Sequence, residues 1–441
     1  MVVGRRTGVN DRTQPLRGGA QVKTRPRAVI VLAVSLVCGV FPLTGWIQPE
    51  RAAGADYDRE LTQLNTEIAR LARAPLGAGT AVTTTRFVYT LYRRAALTGS
   101  ASDVRAAKRA VDDAIADLGP LDDLYLIKAN LDFRIHRLAD TKADLERLRS
   151  RAASVQVETL KADVDLQEGR YDAARKGYEN VLRNGRPWGG LVRLADMEAR
   201  TGDPAAADAL YAEAEDGVSA KEMRAYAWIE MQRGLLQLRR GRYDNAMAHY
   251  QTARRAYSGY WLVDEHIAEV LGAQGKFDEA LALYGQVIAR APSPELQQAL
   301  GDLYAFRGQR DRARPWHDKA LAAYLESAQR GEVHYYHHLA TFYSDVREDG
   351  AAAVRWARKD LDIRENFATQ DALAWALYRN GQFADAHDEM RKALTCGVVD
   401  AHLVFHAAMI SLAAGRIDEG TRLLQRAAEI NPRYAAFHVH R

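Results

Sequence analysis

A six-residue phrase that begins with glycine returns along the chain at a nearly constant spacing. Its copies begin at Gly169 (GRYDAA), Gly202 (GDPAAA), Gly241 (GRYDNA), Gly275 (GKFDEA), Gly308 (GQRDRA), Gly381 (GQFADA) and Gly415 (GRIDEG). Successive copies are 33, 39, 34, 33, 73 and 34 residues apart, so that the longest interval covers about two periods and contains a diverged unit. A period near 34 residues indicates a repeat architecture, which restricts the fold more than any single motif does.

Small residues stand at fixed distances from these glycines. About seven residues before them are Ala162, Ala195, Gly234, Ala268, Gly301, Ala374 and Ala408, and five residues after them are Ala174, Ala207, Ala246, Ala280, Ala313, Ala386 and Gly420. Small side chains at these spacings let two antiparallel helices approach closely. We expect the glycine to end the first helix with a positive φ, and the Asp or Asn that follows to start the second. The pattern therefore predicts a series of helix pairs.

This pattern resembles the tetratricopeptide repeat family. The best copies are Asp264 to Pro292 and the pair from Asp371 to Pro432. The resemblance implies an all-α fold, a right-handed α-solenoid of antiparallel helix pairs. Two units depart from the pattern: the interhelical glycine is missing between Leu121 and Arg149, and the turn is lengthened between His334 and Leu361. The family's shared residues are packing residues, so the resemblance says little about the partner.

Four segments are predicted along the chain. They are a basic leader (1–27), an apolar signal or transmembrane helix (28–47), a linker with a capping helix (48–81) and a helical repeat domain (82–441), whose best repeats cover 159–332 and 366–432. The chain holds only 12 Pro in 441 residues and few β-branched runs, which fits an all-α solenoid. Apolar residues spaced by three and four between Asp56 and Ala72 predict an amphipathic helix. It would cap the first repeat, and self-association is the alternative.

The leader differs in charge from the rest of the chain. Residues 1–27 carry seven Lys and Arg against one Asp, a net of +6, so residues 28–441 sum to 4 − 6 = −2. Nothing in the repeats as a whole calls for nucleic acid. The uncharged run at 28–47 is long enough to span a bilayer and also resembles the apolar core of a signal peptide, with a small-residue site at Ala53-Gly54-Ala55. Under either reading the repeats are expected outside the cytoplasm.

The sequence shows no arrangement typical of catalysis. It lacks a phosphate-binding loop, a paired-cysteine zinc pattern, an HExxH motif and a nucleophile elbow. We therefore expect neither enzyme activity nor a cofactor. Eight of the twelve histidines follow residue 330, and His402 and His406 stand four apart on one helix, a spacing that could serve a metal. A metal-handling accessory protein is thus the alternative function.

The family resemblance implies a concave groove lined by the first helix of each unit. Its fifth and ninth positions give an acidic part followed by an aromatic and methionine part. The acidic residues are Asp163, Asp196, Glu269 and Asp302, and the later ones are His338, Phe342, Trp375, Tyr378, His402, Phe405 and Met409. The lysine and asparagine of members that clamp a C-terminal carboxylate are absent from these positions. The expected function is an exported, membrane-tethered, non-catalytic scaffold for a protein or peptide partner.

Overall fold

The structure, a computed structural model, describes residues 55–73, 80–148, 154–183 and 185–434, which form twenty-one α-helices and no strand. Helix α1 (Asp56–Ala72) precedes ten helix pairs, numbered here as units 1 to 10. The first helices of units 1 to 10 are α2 (Thr80–Thr98), α4 (Asp122–Arg134), α6 (Val155–Gln167), α8 (Trp188–Thr201), α10 (Met223–Arg239), α12 (Trp261–Ala273), α14 (Pro294–Phe306), α16 (Tyr336–Asp345), α18 (Phe367–Arg379) and α20 (Ala401–Ala413). The second helices are α3 (Ala101–Leu118), α5 (Leu138–Glu146), α7 (Tyr171–Leu182), α9 (Pro204–Asp216), α11 (Tyr243–Ala256), α13 (Phe277–Arg290), α15 (Arg310–Gln329), α17 (Gly350–Leu361), α19 (Phe383–Leu394) and α21 (Ile417–Ile430). The predicted apolar segment at 28–47 lies outside the described residues.

Close helix approach inside each unit occurs at the small residues of the repeat. Ala174, Ala246 and Ala280 have no exposed surface. Gly234 lies so near the ring of Tyr250 that an added methyl group would collide with it. Such contacts bring the large apolar side chains of both helices into one continuous core, where each contributes about 1.5–3 kcal/mol on burial. The predicted helix pairs are confirmed.

Most first helices end in a left-handed turn residue. The turn glycines with positive φ are Gly99, Gly169, Gly241, Gly275, Gly308, Gly381 and Gly415. In the two units that depart from the repeat pattern, His136 (φ 63°) and Glu348 (φ 53°) adopt this conformation instead. The backbone turn is therefore kept where the glycine is absent, although a residue with a Cβ adopts it less readily.

The turn at Gly202 is different. Its φ is −141°, and α9 begins with Pro204 while the Asp203 side chain accepts a hydrogen bond from the Ala205 N–H. This Asp is an N-cap, as predicted. In α7, by contrast, the corresponding Asp172 lies inside the first turn and makes no cap, where its charge still favours the positive end of the helix dipole.

The ends of the helices form two edges of the solenoid. We call the edge where first helices begin the start edge, and the edge where first helices pass into second helices the turn edge. The solenoid winds back on itself, so that the turn edge of one unit contacts the start edge of the unit six places later. In units 3 and 9, the Asn366 side-chain amide donates to the Gln167 carbonyl (3.1 Å), and the Phe367 N–H donates to the Tyr171 hydroxyl (2.7 Å).

The same relationship recurs in the next units. The Val399 N–H, just before unit 10, donates to the Arg200 carbonyl of unit 4 at 2.7 Å. The Tyr243 hydroxyl of unit 5 donates to the carbonyl of Arg433, just after unit 10, at 3.3 Å. One superhelical turn therefore contains about six units, and successive turns are in direct contact.

Helix α1 continues this stacking at the N-terminal end of the described solenoid. The Asp56 carboxylate accepts hydrogen bonds from both the N–H (3.0 Å) and the hydroxyl (2.7 Å) of Ser258, in the loop that precedes unit 6. The Tyr257 hydroxyl donates to Glu60 at 2.6 Å. Since α1 also packs against α2, it connects unit 1 to the start edge of unit 6.

Turn glycines distinguish the covered part of the turn edge from the open part. A methyl group at Gly169 would collide with the Glu365 carbonyl, and one at Gly241 would collide with the side chain of Asn431. No atom lies within 4 Å of the same position at Gly275, Gly308, Gly381 and Gly415. The turn edge of units 6, 7, 9 and 10 is thus open at its turn glycines.

Candidate functional site

First helices line two large cavities. One, of about 1110 Å³, lies against α12, α14 and α16 and is bounded on its far side by the turn of unit 1. The other, of about 1010 Å³, lies against the beginnings of α2, α4, α6 and α8. The concave side predicted from the first helices therefore has space for a ligand in both superhelical turns.

The acidic groove residues are engaged by side chains of their own solenoid. Asp163 is buried, accepts a hydrogen bond from the Tyr178 hydroxyl at 2.9 Å, and is paired with Arg193 of the next unit at 2.8 Å. Burial raises the pKa of Asp163, and the charge of Arg193 opposes that shift. This carboxylate serves the packing between helices and is not displayed to a ligand.

The other three acids also have partners inside the solenoid. Asp302 is 2.9 Å from Nε2 of His317, and Asp196 accepts from Arg200 Nε at 3.0 Å. Glu269 is buried, with His266 Nδ1 at 3.3 Å. Asp302 also lines the larger cavity, so it alone of the four combines an internal partner with an accessible position.

A ladder of buried tyrosines accounts for much of this pairing. Its members are Tyr178, Tyr211, Tyr250 and Tyr284, each nine residues after a turn glycine and each at most 1% exposed. Sequence reasoning missed them, although their spacing repeats that of the glycines. A phenol at this position of a second helix reaches toward the polar positions of the first helix, as Tyr178 does with Asp163.

Partly exposed aromatic rings form a continuous row across units 9 and 10. Trp375 stacks on Tyr378 (ring centroids 4.7 Å apart) and on His406 (3.9 Å, planes 8° apart). Its indole N–H donates to Asp345 at 2.9 Å. Tyr378 continues the row to Phe383 at 5.7 Å.

The C-terminal end of the row comes from α20. His402 lies 4.1 Å from His406 between ring centroids, and Phe405 contacts Tyr434 at 5.5 Å. Met409 is half-buried on the same helix. The structure thus brings six predicted residues together at one place. They are Trp375, Tyr378, His402, Phe405, Met409 and, through the stacking, the histidine of the alternative function, His406.

Two predicted groove residues lie apart from this row. Phe342 has no exposed surface, because it packs edge-on against the rings of His317 and Tyr324 in the core of unit 8, and it is therefore not available to a partner. His338 stacks on Tyr324 and lines the larger cavity. Burial lowers the pKa of His338 to about 3, so this imidazole is neutral at neutral pH.

The histidines of α20 are arranged with one acid. Nδ1 of His406 is 3.0 Å from Asp371, and burial raises the pKa of that carboxyl to about 7. Across the described residues, no group of three or more His, Cys, Asp or Glu side chains could hold a metal ion. None of the described helices is both long and apolar enough to cross a membrane.

Comparison with known proteins agrees with the repeat geometry. Models described as tetratricopeptide repeat match residues 159–221, 237–303 and 372–436. No curated protein sequence matches the chain.

Three solved structures illustrate the architectural similarity. A tetratricopeptide repeat protein from Parabacteroides merdae ATCC 43184 shares 18% identity over 55% of this chain and 93% of its own (TM-score 0.34). The Cut9–Hcn1 hetero-tetramer of the APC/C shares 15% identity over 86% of this chain and 80% of its own (TM-score 0.40). Yeast Tom70 shares 14% identity over 85% and 92% (TM-score 0.37). From its family matches and its helix pairs, the chain belongs to the tetratricopeptide repeat family.

Proposed function

We propose that this protein is a non-catalytic scaffold that binds an apolar segment of another protein on the first helices of units 9 and 10. The observation that carries the proposal is the row of partly exposed rings through Tyr378, Trp375 and His406. Tetratricopeptide repeats are suited to protein–protein interaction, and the row gives the surface on which we expect it.

The chemistry of the row favours an apolar partner with some freedom of shape. Stacked rings offer flat apolar area with little loss of side-chain freedom, and Met409 adds a flexible, polarizable contact. Trp375 is already held by Asp345 and by two rings, so its orientation is fixed before a partner arrives. An apolar helix or extended peptide would bury these faces without requiring a charge partner.

We further propose that the scaffold is tethered to a membrane and works outside the cytoplasm. The support is the sequence: a leader of net charge +6 followed by twenty uncharged residues. A topology reporter fused after residue 60 should be active only when the reporter requires export. Activity of a cytoplasm-dependent reporter at the same junction would overturn this part while leaving the binding proposal intact.

Site-specific photo-cross-linking tests the binding surface directly. A photoreactive phenylalanine analogue at position 409 should capture a protein partner in the cells that make the full chain. The matched control is the same analogue at Gln425, an exposed position on the second helix of the same unit. Capture from position 425 but not from 409 would move the site to the outer face and defeat the proposal.

A further inference from the structure

The large apolar side chains left exposed on the described surface are concentrated on the open edges of the solenoid. Eight are exposed, and seven of them lie at an edge. Those on the start edge of units 1, 2, 3 and 5 are Val82, Leu121, Val155 and Met223, and those on the turn edge of units 7, 9 and 10 are Phe306, Phe383 and Ile417. The eighth, Tyr89, lines the smaller cavity.

The same repeat positions make the contact between turns inside the chain. The first residue of a second helix is Tyr171 in unit 3 and Tyr243 in unit 5, and both are covered by the following superhelical turn. In units 9 and 10 this position holds Phe383 (40% exposed) and Ile417 (60% exposed), and no later turn covers them.

The start edge shows the matching pattern. Phe367, the first residue of α18, covers Tyr171 with ring centroids 6.1 Å apart. The first residues of α6 and α10 are Val155 (45% exposed) and Met223 (37% exposed). Each open edge of the solenoid thus carries apolar residues where its covered counterpart carries the residues of the inter-turn contact.

We infer that the occupant of these open edges is a second copy of this chain. The start edge of units 1 to 5 of one copy would stack on the turn edge of units 6 to 10 of another, continuing the internal contact of unit 3 with unit 9. The argument is one of continuity: one superhelix supplies both halves of an interface it already uses internally. Because the two surfaces differ, the contact is heterologous and does not close on itself, so association is open-ended. This inference rests on the edges alone and is independent of the aromatic row.

Sedimentation velocity on the purified full chain, in one fixed detergent, tests the inference. We expect the wild-type mass to rise with concentration without a fixed end point. A turn-edge variant (Phe383→Asp with Ile417→Asp) and a start-edge variant (Val155→Asp with Met223→Asp) should each weaken self-association by at least about tenfold, the effect of losing one anchoring contact.

Mixing the two variants gives the decisive measurement. Each keeps one intact edge of the opposite kind, so an equimolar mixture should form one-to-one dimers and nothing larger. Tyr89→Asp, an equally exposed apolar position away from the edges, should associate as the wild type does. A monomeric wild type, association that persists in both edge variants, or a mixture that stays monomeric would each overturn the inference. Unchanged helical circular dichroism confirms that the exposed substitutions leave the fold intact.

Discussion

The hydroxyl of Tyr171 accepts a hydrogen bond from the backbone N–H of Phe367 at 2.7 Å, although the two residues are 196 positions apart. In a simple solenoid each repeat contacts only its neighbours. Here the bond joins units 3 and 9, so stability passes between superhelical turns as well as along the chain.

Removing that hydrogen bond should loosen both turns. We expect Tyr171→Phe to cost about 0.5–1.5 kcal/mol of unfolding free energy, and Tyr171→Ala to cost more because the ring contact with Phe367 is also lost. Hydrogen exchange should quicken in α7 and in α18 together. The control is Ile417→Ala, at the same repeat position on the open edge, which should change stability by less than about 0.5 kcal/mol. Faster exchange confined to α7 would show that the turns are not coupled.

The tyrosine ladder should contribute through its hydroxyls only where they have acceptors. Tyr178→Phe removes the bond to buried Asp163, and we expect a loss of about 1.5–3 kcal/mol, the range for hydrogen bonds to charged groups. Tyr284→Phe is the matched control, since its equally buried hydroxyl has no hydrogen-bond partner. Urea unfolding of the two variants measures the difference. Equal losses would contradict the structural role given to Asp163.

Stability should fall in acid because buried imidazoles must become charged on unfolding. The pKa of His338 is lowered to about 3, and that of His334 to about 4, mainly by burial. A lowered folded-state pKa means that the unfolded chain binds protons first, so the contribution is complete above about pH 6.5 and is lost progressively toward pH 3. By pH 5, His338 alone should account for about 1–2 kcal/mol.

The variant His338→Gln should therefore flatten the pH dependence of the unfolding free energy between pH 6.5 and 5. At pH 8 it reports only the lost stacking with Tyr324. Asp371 changes stability in the opposite direction, because its pKa is raised to about 7 and its contribution is lost as the pH rises. Comparing each variant with the wild type at every pH separates the two. An unchanged slope in His338→Gln would show that this imidazole is protonated in the fold.

Trp375→Ala should weaken partner capture if the aromatic row is the binding surface. Truncating a buried aromatic anchor typically costs about 2 kcal/mol or more, which is roughly a thirtyfold loss of affinity. The control is Trp316→Ala, a tryptophan of similar burial on the second helix α15. Pull-down with the partner identified by cross-linking gives the measurement. Greater loss from Trp316→Ala would locate binding on the outer face.

Overpacking a helix crossing should spread beyond one unit. Ala280 has no exposed surface, so Ala280→Leu should cost about 1–3 kcal/mol. Ala282, two residues on and exposed, is the control position, and Ala282→Leu should be nearly neutral. Thermal unfolding with hydrogen exchange should show units 5 to 7 weakened together. A local effect on α13 alone would argue against shared interfaces.

The helix pairs were predictable because packing within a unit depends on local spacing. Ala174, Ala246 and Ala280 stand at one repeat position and are all buried as predicted. Contacts between superhelical turns were not predictable, because they depend on how many units complete a turn. Tyr171 and Phe383 illustrate this: they occupy the same repeat position, yet one is covered and the other is 40% exposed.

The groove was predictable only in part for a related reason. A first-helix position indicates which side a residue faces, but not which neighbour reaches it. Asp163 was expected to line the groove and is instead bound by Tyr178 and Arg193. Trp375 and Tyr378 do form one surface, because both rings project from the same helix.

Contact between turns also sets an order of events during synthesis. Asn366 reaches Gln167 across 199 residues, so unit 3 is made long before unit 9 exists. At about 5–20 residues per second, the ribosome needs roughly 10–40 s to supply that partner. Throughout this interval the nascent chain displays Tyr171 uncovered, and any factor that attends the growing protein meets that surface first.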